Sequence, residues 1–411
     1  MKFGPLALAF ENILYPALLF FLTPHIINDV GMRDFGSWAY LGSITAAASV
    51  LSFGSMIASI KWLTESCYDN IKYPCAIRSV YALFFGQALL MGFVLAVLLN
   101  FFVNNNGNQN QYRILLSSGV VIILAEQVDI ATISLVRAAQ NFTTTLKYDV
   151  VIRFFQAISM YFSAKYLGFE WMLILFSGTS IFRCLIKFLA TKKMRPSGFE
   201  LIGRVNLYPL IRYARYGWIQ GVLGGTVLFA DRIIVGNVLG SSSVTSLAVL
   251  SIVPQQVHAV AVASISYIFP KILKRRADGD TTWISERRTV LILTAKIGIV
   301  LAAFFLLFCF FSGWLIKLWL KGLPIEGAWW LINILMAGYI LQIINAPSYY
   351  IIDAFGFSKI NTYVMAFSGV IALPAMWYMV NLHGIAGAAF AKIIYGVLCL
   401  LMVAYVGKKN I

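Results

Sequence analysis

Charge is scarce in this sequence: only 12% of its 411 residues are Asp, Glu, Lys or Arg. A domain that faces water on all sides carries roughly 25%. A soluble globular protein is therefore excluded, because too few charged side chains exist to cover its surface. Chemistry-bearing motifs are missing as well. The five cysteines (Cys67, Cys75, Cys184, Cys309, Cys399) are scattered and form no Cys-x-x-Cys pair, so neither a disulfide framework nor a zinc site is supported. The three histidines, His25, His258 and His383, are far apart, and no His-Glu-x-x-His motif occurs. No Gly-x-x-x-x-Gly-Lys-Ser/Thr loop and no Gly-x-Ser-x-Gly elbow is present. These absences argue against a nucleotide-driven motor, a metalloenzyme and a hydrolase. No metal or cofactor is expected, and a conventional enzyme is not. The first apolar run has no small-residue cleavage site after it, so it reads as a retained helix rather than a signal peptide.

Apolar length is abundant. Sixty per cent of residues are hydrophobic and the mean hydropathy is +0.81. Apolar runs fall at about 6–27, 37–60, 79–103, 114–136, 148–167, 171–190, 213–238, 244–269, 290–312, 328–351, 360–380 and 384–406. About 20 residues suffice to cross a ~30 Å hydrocarbon core as a helix. The runs do not alternate apolar and polar residues, which excludes an outer-membrane barrel. The expectation is an all-α integral membrane protein with about twelve spans.

Basic residues test that count. With the N-terminus inside, the even-numbered loops hold 20 Lys and Arg, counting Arg183 and Lys187 at the end of the sixth run, and the odd-numbered loops five. Cytoplasmic loops retain such cations, and one missed span would scramble the alternation. The formal charge of +16 thus reads as topology, not as nucleic-acid binding. Lys2, Lys408 and Lys409 place both termini in the cytoplasm. The basic stretch 191–212 contains Pro196, Gly198, Gly203 and Pro209, and reads as a cytoplasmic linker between a six-helix bundle at 1–190 and a second at 213–411. Gly31-Met-Arg-Asp-Phe-Gly-Ser can be laid on Gly240-Ser-Ser-Ser-Val-Thr-Ser, and Ala139-Gln-Asn-Phe-Thr on Ala354-Phe-Gly-Phe-Ser. These matches suggest a parallel duplication, a transporter architecture with the substrate between two bundles.

Ionisable groups inside hydrocarbon are costly and mark pathways or partners. Glu126, Asp129, Arg137 and Gln140 line one face of the fourth span. One reading is a coupling site for H+ or Na+, and the other is a structural pair neutralised by a basic residue on another helix. Asp231 and Arg232 lie in the outer third of the seventh span; Asp231 is an ion-coupling candidate and Arg232 a head-group contact. Arg153, Lys296 and Lys392 are single cations deep in their runs. Each can snorkel toward the headgroups; together with Arg232 they form a candidate cationic cavity for a phosphate or pyrophosphate. His258 follows Pro254 in the eighth span, and Gln342 and Asn345 precede Pro347 in the tenth; these complete the candidate cavity lining.

Three segments carry a family resemblance. Phe229-Ala-Asp-Arg-Ile-Ile-Val-Gly-Asn-Val-Leu-Gly resembles the seventh-helix signature of bacterial polysaccharide transporters. Ile352-Asp-Ala-Phe-Gly-Phe-Ser-Lys-Ile-Asn resembles their loop after helix ten, and His383-Gly-Ile-Ala-Gly-Ala-Ala-Phe-Ala the start of helix twelve. The chain resembles the O-antigen flippase (Wzx-type) group of the multidrug/oligosaccharidyl-lipid/polysaccharide exporter (MATE-like) superfamily. That resemblance implies two six-helix bundles and alternating access in the bacterial inner membrane. It also implies an undecaprenyl-pyrophosphate-linked oligosaccharide as substrate, with a polysaccharide polymerase and a chain-length regulator as membrane partners. The alternatives are a cation-coupled multidrug exporter of the same superfamily and a membrane O-antigen polymerase. A polymerase is expected to carry a large outer loop, whereas the outer loops read here are short.

Overall fold

The computed structural model describes residues 18–66, 69, 72–106, 109–139, 142–196, 200, 203–265, 268, 272, 275, 282–320, 325 and 327–408. Among these residues all regular secondary structure is helical. The helices are α1 (Leu18–Val30), α2 (Met32–Ser66), α3 (Lys72–Asn106), α4 (Gln109–Ala138), α5 (Phe142–Tyr166), α6 (Phe169–Ala190), α7 (Tyr208–Leu239) and α8 (Ser241–Ile265). They continue with α9 (Trp283–Leu320), α10 (Ala328–Ala354), α11 (Ser358–His383), α12 (Ile385–Cys399) and α13 (Leu401–Lys408). Backbone polar groups in hydrocarbon need partners within their own segment, and helices supply them. Eight of the described helices are long and apolar enough to cross a membrane, with α12 and α13 counted as one rod. At 38 residues, α9 is about 57 Å long by its rise per residue and outruns the bilayer.

Glycines set the reversals. A single residue, Gly31 (φ 87°), separates α1 from α2, and Gly240 (φ 85°) separates α7 from α8. That left-handed backbone is strained for any residue with a Cβ. The two glycines aligned from sequence therefore share a positive φ at the same kind of junction.

The chain forms two compact units, Met1–Thr245 and Ser246–Ile411. The seam read from sequence at 191–212 lies inside the first unit, because α7 packs along α2. Gly236 receives the ring of Tyr40, whose hydroxyl is 3.3 Å from the Leu98 carbonyl and 3.4 Å from Asn237 Oδ1. Ser55 is a buried polar hub: Gln87 Nε2 of α3 and Trp218 Nε1 of α7 both donate to its Oγ, at 2.6 and 2.5 Å. Lipid offers no gain for burying more apolar surface between helices, so small residues and hydrogen bonds hold such contacts.

Within each unit the same helix pairs meet. In the first unit α3 packs on α4, α4 on α6 and α5 on α6; in the second α9 packs on α10, α10 on α12 and α11 on α12. The sequential offset of six supports duplication independently of the residue matches.

Candidate functional site

The first unit holds a buried ionic network between α4, α5 and α6. Asp129 of α4 is bound by the Lys187 ammonium of α6 at 2.9 Å (Oδ1) and 3.0 Å (Oδ2). The same ammonium lies 2.6 Å from Asp149 Oδ1 of α5. Arg183, one turn before Lys187, approaches Asp129 Oδ2 at 3.5 Å. The Lys187 side chain is 1% exposed, so water contributes little to solvating it. Arg153, one turn after Asp149, is half-buried and close enough for its charge to act on Asp129. The spacings Asp149/Arg153 and Arg183/Lys187 are both i,i+4, which puts each pair on one helix face. The cluster lies near the ends of α4 and α6 and the start of α5, where the chain leaves for the linker.

This geometry changes two readings. Arg183 and Lys187 counted as loop cations from sequence; they are buried inside the bundle, drawn in by two carboxylates. Asp129 has the basic neighbours on another helix that the structural alternative required. Glu126, one turn earlier, is half-buried and engaged by neighbouring groups. Arg137 is half-buried with Nη1 3.6 Å from the Met56 sulfur, and Gln140 lies outside the described residues.

On α7, Asp231 is fully buried and its Oδ1 accepts the backbone N–H of Arg232 at 2.7 Å. Arg232 is half-buried. Both lie on the helix that packs against α2, one turn before Gly236.

The second unit contains a different constellation. Lys392 of α12 is 3% exposed; its ammonium donates to the Tyr339 hydroxyl of α10 at 2.8 Å and sits 4.6 Å from that ring's centroid. His258 of α8 stands with its ring 5.5 Å from the Tyr339 ring, and the Lys392 charge acts on it. In the same stretch of α10, Gln342 Nε2 donates to the Gly338 carbonyl at 3.4 Å, and Asn345 Nδ2 contacts the Met402 sulfur at 3.2 Å. Lys392 and His258, read separately from sequence, are thus brought together by a tyrosine that sequence reading missed. Lys296 joins neither group. It is exposed on α9 among Ile292, Ile299 and Val300, which are exposed too. That apolar outer stripe is the setting for snorkelling.

No acidic residue of the second unit falls in the middle of a described helix. Asp278, Asp280 and Glu326 fall in sequence between those helices, Glu286 in the first turn of α9 and Asp353 at the end of α10. Glu286 is paired with Arg275 at 2.6 Å, and Asp353 accepts from Asn361 Nδ2 at 2.9 Å. Among the described residues no group of His, Cys, Asp and Glu could hold a metal ion.

No protein-family model and no curated protein matches the chain. Solved structures do. The lipid II flippase MurJ, in an inward closed conformation, is similar at TM-score 0.75 and 14% identity, over 100% of this chain and 88% of that one. An inward-facing multidrug resistance MATE family transporter of the MOP superfamily is similar at TM-score 0.72 and 8% identity, over 97% of each. A mutant of the Vibrio cholerae MATE transporter VcmN is similar at TM-score 0.60 and 14% identity, over 99% and 95%. The chain therefore has the all-helical, MATE-like membrane-transporter fold shared by drug transporters and a lipid flippase.

Proposed function

We propose that this protein is a flippase for an anionic lipid-linked saccharide, with an undecaprenyl-pyrophosphate-linked O-antigen or related repeat unit as its substrate. One observation carries the choice: the helix interior of the second unit holds a fixed cation, Lys392, with His258 beside it, while every carboxylate of that unit falls at a helix end or, in sequence, between described helices. An exporter of organic cations needs the opposite sign. A diphosphate head cannot enter hydrocarbon unaided, since desolvating its charge costs too much. A polar, positively charged path removes most of that cost while the lipid tail stays in the bilayer. Arg153, Arg232 and Lys392 serve as head-group contacts in this reading, and Lys296 anchors α9 at the headgroups. The likeness to a lipid II flippase supports a lipid-linked substrate.

Alternating access between the halves 1–190 and 213–411 moves the head group. Glu126 and Asp231 are the carboxylates through which H+ or Na+ drives it, while Asp129 is held by Lys187 and Arg183. The protein acts in the bacterial inner membrane with both termini in the cytoplasm, and hands its product to a polymerase and a chain-length regulator.

A deletion strain tests this reading. Lipid-linked repeat units should accumulate and surface polysaccharide should vanish; a deletion that accumulates none would remove the proposal. Complementation with Lys392→Met should leave surface polymer at least about tenfold below wild type, the effect of losing one charge-assisted contact. Lys392→Arg should restore most of it. Membrane abundance of each variant, and Tyr339→Phe as a milder variant, separate lost transport from lost protein.

A further inference from the structure

We infer that the segment joining α6 to α7 is a fixed seat for anionic phospholipid headgroups. From Thr191 to Arg215 the sequence has six cations (Lys192, Lys193, Arg195, Arg204, Arg212 and Arg215) and one acid, Glu200. A retained-loop charge bias needs only such a count and leaves the chain loose. The described residues of this segment are instead fastened to the start of α3 and the end of α6. Arg78 Nε donates to the Glu200 carbonyl at 2.7 Å, and the Asn206 N–H donates to Ser79 Oγ at 2.8 Å. The Tyr73 hydroxyl donates to the Met194 carbonyl at 3.3 Å. Gly203 presses on the Arg78 guanidinium so closely that a Cβ there would lie 2.7 Å from it. Arg195 turns inward, donating to the Phe188 carbonyl at 2.7 Å with its guanidinium 3.5 Å from the centre of the Phe188 ring.

The fastening spends Arg78 and Arg195 and leaves other cations pointing out. Lys192, Lys193, Arg204 and Arg212 are exposed. Beside them in sequence stand Leu189, Val205, Tyr208 and Ile211, each 43–71% exposed. Cations interleaved with outward apolar and aromatic side chains match the headgroup region, where phosphate oxygens lie above the first methylenes. A soluble anion would use the cations and leave the apolar groups in water. A phospholipid uses both, and the charge selects an anionic one. The seat is independent of what the protein transports.

The full chain, reconstituted in phosphatidylcholine bilayers with trace spin-labelled lipids, reads this directly. Spin-labelled phosphatidylglycerol should be enriched at the protein over spin-labelled phosphatidylcholine, and the enrichment should fall as salt rises. Each cation near the membrane surface is worth roughly fivefold in affinity for anionic lipid. The variant Lys192→Gln/Lys193→Gln/Arg204→Gln/Arg212→Gln should therefore lose most of the selectivity with an unchanged melting midpoint, since all four side chains are exposed. Neutralising Arg113, Lys317, Lys359 and Lys408 instead, a control of equal charge elsewhere, should keep it. Equal losses in both variants would mean that net charge alone attracts the lipid, and an unchanged selectivity in the first would mean that lipid binds elsewhere; either overturns the seat. Inorganic phosphate competing as well as phosphatidylglycerol vesicles would also overturn it, in favour of a soluble-anion site.

Discussion

Lys187→Met is expected to lower the melting midpoint of the purified protein by about 10 °C or to abolish its accumulation in membranes. The substitution keeps most of the side-chain volume and removes the ammonium that Asp129 and Asp149 share. Two carboxylates are then left in a site almost closed to solvent, with Arg183 3.5 Å from Asp129. Breaking a buried ion pair by removing one partner costs about 3–5 kcal/mol, since the survivor stays charged and uncompensated. A few kcal/mol corresponds to a midpoint shift of about 10 °C in a domain of some 200 residues. The double variant Lys187→Met/Asp149→Asn should recover more than half of the loss, because the remaining Asp129 keeps Arg183. Thermal unfolding in detergent, followed by tryptophan fluorescence, distinguishes the outcomes. A Lys187→Met protein that melts with wild type would show that the network contributes little, and a double variant no better than the single would show that Asp149 is not the group left stranded.

Gly36→Leu should be at least as damaging, for a steric reason. A Cβ at Gly36 would overlap the Ser241 carbonyl oxygen and lie 2.7 Å from Thr245 Oγ1. The contacting atoms include backbone, which cannot rotate away as a side-chain tip can. The Thr245 hydroxyl also donates to the Met32 carbonyl, so the start of α2 and the start of α8 are tied at the same place. Overpacking a tight contact costs about 1–3 kcal/mol and more when backbone must move. Gly42 on the same helix has nothing within 4 Å of the place a Cβ would take, so Gly42→Leu is the matched control. Gly36→Leu should fail to accumulate or melt more than about 10 °C low, and Gly42→Leu should stay close to wild type. Similar behaviour of the two would remove the close approach of α2 to the start of α8 from the fold.

The fold was legible because hydrocarbon thickness leaves a direct trace in sequence. Twelve apolar runs near 20 residues pointed to a helical membrane protein, and eight of the described helices are long and apolar enough to cross a membrane. The Gly31 and Gly240 match was meaningful because a positive φ needs glycine, and the two junctions have φ of 87° and 85°. Sites were harder, since periodicity says which residues share a face but not which faces meet. Asp129 stood out as a carboxylate in a span, yet its partners at the far end of α6 looked like loop cations, being only three and seven residues from Ala190. The i,i+4 pairs Asp149/Arg153 and Arg183/Lys187 were the available signal for facing charged helices. Tyr339 gave no signal at all; one tyrosine in an aromatic-rich span is distinguished only by the lysine that reaches it. Lys296 and Lys392 looked alike in sequence, and only packing separates the exposed one from the buried one.

The direct test of a fixed positive charge guiding an anionic lipid head is translocation by purified protein. Proteoliposomes carrying a fluorescent diphosphate-linked saccharide lipid in both leaflets would be assayed for head groups reaching an external quencher or lectin. Wild-type protein should move the diphosphate-linked lipid, and an uncharged lipid bearing the same sugar poorly; Lys392→Met should erase that difference. Equal transport of charged and uncharged lipids by wild type, or transport of organic cations instead, would contradict the charge-guided flippase.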